Sequence, residues 1–419
     1  MAYAHDAGNR HSLNILMLLT NAFDPDPRVH REARALIEAG HRVTILCWDR
    51  DRKAEAREVV DGIHLERIYV DSTHGRGASQ MFYLAKFWTR AFAVARKKEF
   101  DVVHAHDFDT LPLGYALARI KNARLVYDSH ESYVDMMHGL PGVVRSAIYH
   151  SENFLLKRCD LVITVGDILK EFLQERGARN ICVVGNWQDP AKFVFDDDTL
   201  RQGRSELGIS EGQKVIAFIA HLGRERRVPE LIDAIRNTPD TYLILGGNGP
   251  CAELAQKAAD EFPNICYLGY VQPDRVPFYT AMADIVFYGF DPDNPNARFS
   301  APNKLFECLA AGKAMLTGNF GEIGRIVKEW QCGIILEDYA VEKIRSALDT
   351  MSGEQVEKFR RQSAAACRER FSWPVAARIL IDNYAGLTTV QQVRDPIRIN
   401  ADQDKNQGKG TQIKSEKAG

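Results

Sequence analysis

The sequence predicts an α/β protein built as two doubly wound halves that face a central cleft. Three observations carry that prediction. Short apolar runs alternate with helical patterns from Leu13 onward, which is how a parallel sheet flanked by helices reads. Polar, turn-forming residues follow the carboxyl ends of several of those runs, the edge at which doubly wound sheets bind ligands. At 419 residues the chain is too long for one ordinary core, so two or three domains are expected.

Composition narrows the class. With 45% hydrophobic and 26% charged residues the chain reads as soluble and globular. A formal net charge of −2 argues against nucleic acid as a partner, since that needs a positive excess. The eight cysteines lie far apart, without Cys-x-x-Cys or finger spacing, so reduced structural thiols in a cytoplasmic protein are expected. No basic-then-apolar signal segment precedes Leu13, and the run Leu13 to Leu19 is too short to span a bilayer. The expected location is the cytoplasm, with membrane contact only at the protein surface.

In the first half, the apolar run at 13–20 is a buried parallel strand, and the loop NAFDPDPRVHREA leads into a helix from about Arg28 to Ala39. Gly40 ends that helix and the strand at 42–48 follows, completing a βαβ unit. A strand at 61–69 and an amphipathic helix at 80–99 come next. The segment FDVVHAHDFDTL then forms a strand whose end carries His104, His106, Asp107 and Asp109, with the two histidines on the same side. A helix at about 111–120 leads to a strand at 124–127, ending in Asp128-Ser129-His130-Glu131. A helix at roughly 144–158 and strands at 161–165 and 181–184 close the half.

Residues 188–212 are polar and Asp-rich and read as an interdomain connection. The second half repeats the pattern, with strands at 215–220, 242–245, 265–268 and 285–288 and helices at 228–237, 251–260 and 274–282. After the last of these strands, DPDNPNARFSAPNKLFECLAAG is a polar loop that turns into a short helix. Pro302 favours the helix start, Gly312 its end, and the strand 314–317 follows. A helix N-terminus set in a polar loop attracts phosphate through free N–H groups and the dipole. Helical patterns return at 341–350, 354–369 and 373–386, and the tail 400–419 should be disordered.

Six of these segments, in this order, resemble the family 4 glycosyltransferases of the retaining, GT-B type. They are DPDPRVHREARALIEAGHRVTILC, VVHAHD with LVYDSHE, AHLGRERRVPELIDAI, LGGNGP, LGYVQPDRVPFYTAMADIVFY and PNKLFECLAAGKAML. The resemblance covers roughly residues 13 to 388. It implies two Rossmann-like domains, an acceptor-side domain at 1–187 and a nucleotide-sugar-binding domain at 213–370. It also implies that a last helix at 371–390 crosses back to the first domain. The implied activity is transfer of a hexosyl or N-acetylhexosaminyl group from a nucleotide-diphosphate sugar, with a UDP- or GDP-sugar as substrate and no cofactor. The implied setting is surface polysaccharide or glycolipid assembly, with a glycan or lipid-linked acceptor at the inner face of the membrane. In the stretch Ser132 to Arg158, apolar Met136, Met137, Leu140, Val143, Val144 and Ile148 among Arg145, Lys157 and Arg158 could dock on a membrane surface, although core packing is the reading for most of them.

Site residues are carried over by position. Glu307 matches the second Glu of the family's Glu-x7-Glu motif and would hold the donor ribose, whereas Phe299 stands where the first Glu falls. Ser300, Pro302 and Asn303 are expected to supply polar or backbone groups to the sugar and diphosphate. Arg226 corresponds to the family's diphosphate-neutralising Lys and His221, a weaker cation, to its Arg, so Lys304, Arg224 or Arg227 would share that work. Gly247 and Gly249 form a turn near the donor. His106 matches the histidine beside the reacting sugar. Asp26 and Arg28 lie in the loop that approaches phosphate and acceptor, and His130-Glu131 either orients substrate or caps a helix. Without the flanking pattern, Arg-Glu-Arg-Arg at 224–227 is a solvated charge run and His106 a core histidine. Asp107-x-Asp109 has spacing that could hold a divalent ion, but the resemblance implies no metal. The same architecture also serves nucleotide-sugar epimerases, and the loss of an acid at Phe299 would suit a non-catalytic subunit that activates a partner transferase.

Overall fold

The computed structural model describes residues 12–394 apart from 25, 73–77, 137–140 and 292–293, so the tail and the residues Met137 and Leu140 lie outside it. The first sheet is made of β1 Asn14–Leu19, β2 Arg42–Asp49, β3 Arg57–Val60, β4 Ile63–Tyr69, β5 Val102–His106, β6 Arg124–Ser129, β7 Leu161–Thr164 and β8 Ile181–Val183. They lie in the order β3-β4-β2-β1-β5-β6-β7-β8, and only β3 runs antiparallel to its neighbour. The second sheet contains β9 Lys214–Ile219, β10 Thr241–Gly246, β11 Ile265–Tyr267, β12 Ile285–Tyr288, β13 Ala314–Gly318 and β14 Gly333–Leu336. Its order is β11-β10-β9-β12-β13-β14, all parallel. This is the two-domain GT-B architecture, and strand order reverses between β1 and β5 and again between β9 and β12.

The continuous apolar runs are explained by helices on both sheet faces. Along β1, Leu16 and Leu18 enter a cluster with Trp48 and Phe87, while Ile15 and Met17 enter another on the opposite face. The second of these clusters runs on without a break through Trp187 and Phe371 to Phe306 and Leu309 of the second domain. Burying each such side chain is worth roughly 1.5–3 kcal/mol, so the apolar seam holds the two halves together. The helix Trp373–Arg394 crosses back to the first domain: the Arg31 guanidinium lies 5.1 Å from the centre of the Trp373 ring, and the Tyr384 hydroxyl lies 2.8 Å from His104 Nδ1.

Residues 188–212 are more ordered than their composition suggests. Asp189 and Asp196 are N-caps, of the turn Pro190–Phe193 and the helix Asp197–Glu206. Arg204 of that helix pairs with Asp284 at 3.0 Å, which fastens the segment to the second domain. The helices Asp167–Glu175 and Gly321–Trp330 and the strand β14 escape the sequence pattern; each starts at or just after a glycine, Gly166, Gly321 and Gly333, which reads as a turn. No helix among the described residues is long and apolar enough to cross a membrane.

Candidate active site

The loops leaving β9 and β12 start where strand order reverses, and in doubly wound sheets that is where a crevice opens. They meet the loops that follow β6, β7 and β8 of the first domain. Between them lies a cavity of about 620 Å³. The first domain contributes His130, Glu131, Ser132, Val165 and Asn186 to its walls. The second contributes Ala220, His221, Glu225 and Arg226 from one loop, then Tyr288, Phe290, Asn294 and the run Phe299 to Lys304 from the other.

The second-domain wall carries the cations Arg226 and Lys304, with the Glu225 carboxylate 4.0 Å from Arg226 Nε. The Arg226 guanidinium lies 4.3 Å from the centre of the Phe290 ring and 5.0 Å from that of Tyr288, whose hydroxyl accepts from its Nη1. Two aromatic faces therefore fix its plane, and its Nε has no hydrogen-bond partner among the described residues. His221 is exposed beside it. The helix Asn303–Ala310 begins at Pro302, with no side chain capping its first N–H groups. Its positive end is thus open to an anion. Lys304 stands on the first turn and is ion-paired with Glu307, one turn on. Gly247 and Gly249 lie behind this wall: they have φ of 123° and 152°, and an added Cβ would come within 1.9 Å of the Ala220 carbonyl oxygen and 2.5 Å of that of Leu222. They let the 220–226 loop pack closely and do not face the cavity.

Behind the first-domain wall is a buried charge network. Arg28 holds Asp128 bidentately, at 3.0 and 2.8 Å, and donates to the Val184 carbonyl at 2.6 Å. Asp128 lies 2.9 Å from His130 Nε2 and 3.3 Å from His106 Nδ1. Asp107, turned by a φ of 60° just after β5, reaches His130 Nδ1 at 3.2 Å. Burial alone would discharge His130, but Asp107 and then Asp128 override it and raise its pKa well above the usual 6.5. Burial likewise opposes a charge on Asp128, yet Arg28 and His130 hold it well below the carboxylate range. The result is an imidazolium fixed at the cleft. Glu32 lies 3.1 Å from Arg28, but neither of its oxygens has a hydrogen-bond partner among the described residues, and burial pushes its pKa up.

Eight of the expected site residues therefore do not share one fate with the rest: His130, Glu131, His221, Arg226, Ser300, Pro302, Asn303 and Lys304 line the cavity. His106 does not. It is 1% exposed, stacked at 4.2 Å on His104, and lies in the buried network beside Asp128, away from the cavity surface. Arg28 is likewise buried, and Asp26 caps the helix Pro27–Glu38 by accepting from the N–H groups of Arg28 and Val29. Glu307 is not among the cavity-lining residues and is ion-paired with Lys304. Sequence reasoning missed Tyr288 and Phe290, the ring faces under Arg226: Tyr288 read as the last residue of a strand, and Phe290 lies just past its end. Asp107 and Asp109 part company: Asp107 serves His130, while Asp109 accepts from Thr20 at 2.7 Å.

Among the described residues, Glu32, His104, His106 and Asp128 are the group with metal-ligand chemistry, their donor atoms within 4.8 Å of one another. Arg28 already places a positive charge between both carboxylates.

Comparison with known proteins gives two matches along the chain. Residues 25–187 match the glycosyl transferase 4-like domain and residues 201–370 the glycosyl transferases group 1. A glycogen synthase of Mycobacterium tuberculosis is 24% identical over 383 residues, 83% of this chain and 87% of that one. Sucrose-phosphate synthase from Thermosynechococcus elongatus superposes with a TM-score of 0.73 at 15% identity, over 90% of this chain and all of that one (100%). Anabaena HepE in complex with UDP superposes with a TM-score of 0.69 at 16% identity, over 89% of this chain and 100% of its own.

Proposed function

The chain belongs to the group 1 glycosyltransferases of GT-B fold, and from that premise we propose that it transfers a sugar, with retention, from a nucleoside-diphosphate sugar to an acceptor hydroxyl. One observation carries the reading: Arg226, His221, Lys304 and an uncapped helix N-terminus converge on a single cavity between the domains. As the bond from sugar to diphosphate breaks, negative charge grows on the leaving group and positive charge on the sugar. Fixed cations and N–H dipoles aimed at the leaving oxygens lower that barrier. The stacked Arg226 suits the diphosphate because its donors are pre-oriented. Glu307, one turn into the helix, is the group for the ribose hydroxyls, and UDP bound to HepE supports a uridine donor. His130, held as a cation, adds positive field from the acceptor side but has no free lone pair to act as a base.

The acceptor in this reading is a glycan or a lipid-linked glycan, met at the inner face of the membrane. Val143, 83% exposed beside Arg145 on the helix Gly142–Leu156, supports contact with a lipid surface, whereas Ile148 of the same helix is buried. The test is a titration with UDP, GDP and ADP followed by thermal unfolding. One nucleotide should raise the melting temperature, by the equivalent of about 2.7 kcal/mol at a hundredfold excess over Kd, and Arg226→Ala should abolish that rise. No shift with any of the three, well above millimolar, would remove the transferase reading. Product analysis without acceptor separates an epimerase, which would consume the donor unaided.

A further inference from the structure

The cavity is not polar throughout. Val165, Phe299 and Ala301 line it together and form an apolar wall. Val165 and Phe299 are 4% and 7% exposed and belong to one buried cluster, against which Ala301 packs. Phe299 comes from the second domain, yet its ring centre lies 4.9 Å from that of Phe172 on the first-domain helix Asp167–Glu175. The wall therefore lies where the first domain meets the start of the 299–304 run, while Arg226 approaches from the loop after β9 and Lys304 from the first turn of the helix Asn303–Ala310. If those cations hold the diphosphate, as the proposed function has it, the group that must reach toward the first domain is the sugar. A ring hydroxyl pressed on this wall would lose water and find no donor or acceptor on three hydrocarbon side chains. A methyl group there would gain contact.

We propose that the transferred sugar turns a methyl group to this wall, and that Val165 and Phe299 set that preference. The methyl has two sources, the C6 of a 6-deoxyhexose or the acetamido group of an N-acetylhexosamine. The inference rests on the transferase reading, and the experiment separates the two. Affinities are measured by calorimetry for the nucleoside diphosphate that binds and for its sugars: UDP-glucose, UDP-6-deoxyglucose and UDP-N-acetylglucosamine, or GDP-mannose and GDP-rhamnose if GDP is the nucleotide. One methyl-bearing sugar should bind about tenfold more tightly than its parent hexose, the usual worth of a methyl in an apolar pocket. The winning arm names the source. Val165→Thr, nearly isosteric, and Phe299→Gln should bring the ratio close to one and leave nucleoside-diphosphate affinity unchanged. Val165→Thr decides the matter alone if Phe299→Gln fails to fold. Equal affinities in the wild type, or a ratio that both variants leave intact, overturn the proposal. So does a loss that falls equally on the bare nucleotide, since the wall would then be structural only. If no nucleoside diphosphate binds, the transferase reading falls and takes this inference with it.

Discussion

His130 illustrates what a single residue owes to its neighbours. An imidazole with 20% of its side chain exposed would ordinarily titrate near neutrality, but Asp107 and Asp128 grip both ring nitrogens. The sign of the linkage follows from the direction of the shift. A histidine pKa raised on folding contributes stability that is fully present below the unfolded value of 6.5 and is lost as pH rises through the folded value. Asp128, depressed on folding, contributes stability present above 3.8 and lost as pH falls through its folded value. Urea unfolding of wild type and His130→Gln across pH should therefore differ most near and below pH 6.5, with the gap closing as pH climbs. A gap that widens toward alkaline pH would contradict the protonated assignment.

At the scale of elements, the domains are joined by contacts that neither could make alone. Glu322, 3% exposed at the start of the helix Gly321–Trp330, accepts from the Ile168 N–H at 3.0 Å. A side chain of one domain thus caps the helix Asp167–Glu175 of the other, whose own N-cap, Gly166, has no side chain to do so. Around it, Arg325 pairs with Glu171 at 2.9 Å and Arg370 with Asp167. The surface pairs matter little, but the buried cap should be worth about 1–2 kcal/mol. Glu322→Ala is expected to lower stability by that amount in denaturant unfolding, whereas Arg325→Ala should change it by less than about 0.5 kcal/mol. Equal effects would place the clamp at the surface.

For the molecule as a whole, the crossing helix makes one folding unit of two sheets. Tyr384 is fully buried and its hydroxyl meets His104, a first-domain histidine that burial holds neutral. Tyr384→Phe leaves that imidazole nitrogen without its partner and should cost about 1–3 kcal/mol. Tyr384→Ala adds a cavity, and the loss should approach about 3–5 kcal/mol with both domains melting in one transition. Calorimetry would show two separate transitions if the domains were held independently.

Much of this was legible along the chain. The α/β alternation, the uncapped helix at Asn303 and the cations Arg226 and Lys304 are local facts, written in periodicity, proline placement and charge. They needed no partner to be read. What the sequence could not settle depends on which residues meet across distance. His104 and His106 read as a pair on one side of a strand, but whether that side met ligand or core was decided by the helices Pro27–Glu38 and Trp373–Arg394 covering it. Phe299 read only as a missing acid until packing against Phe172 made it a wall of the cleft. Local pattern fixes which elements form, because a helix or strand answers to its own spacing. Burial and charge partners belong to the folded chain, because they join residues as far apart as Arg28 and Val184 or His104 and Tyr384.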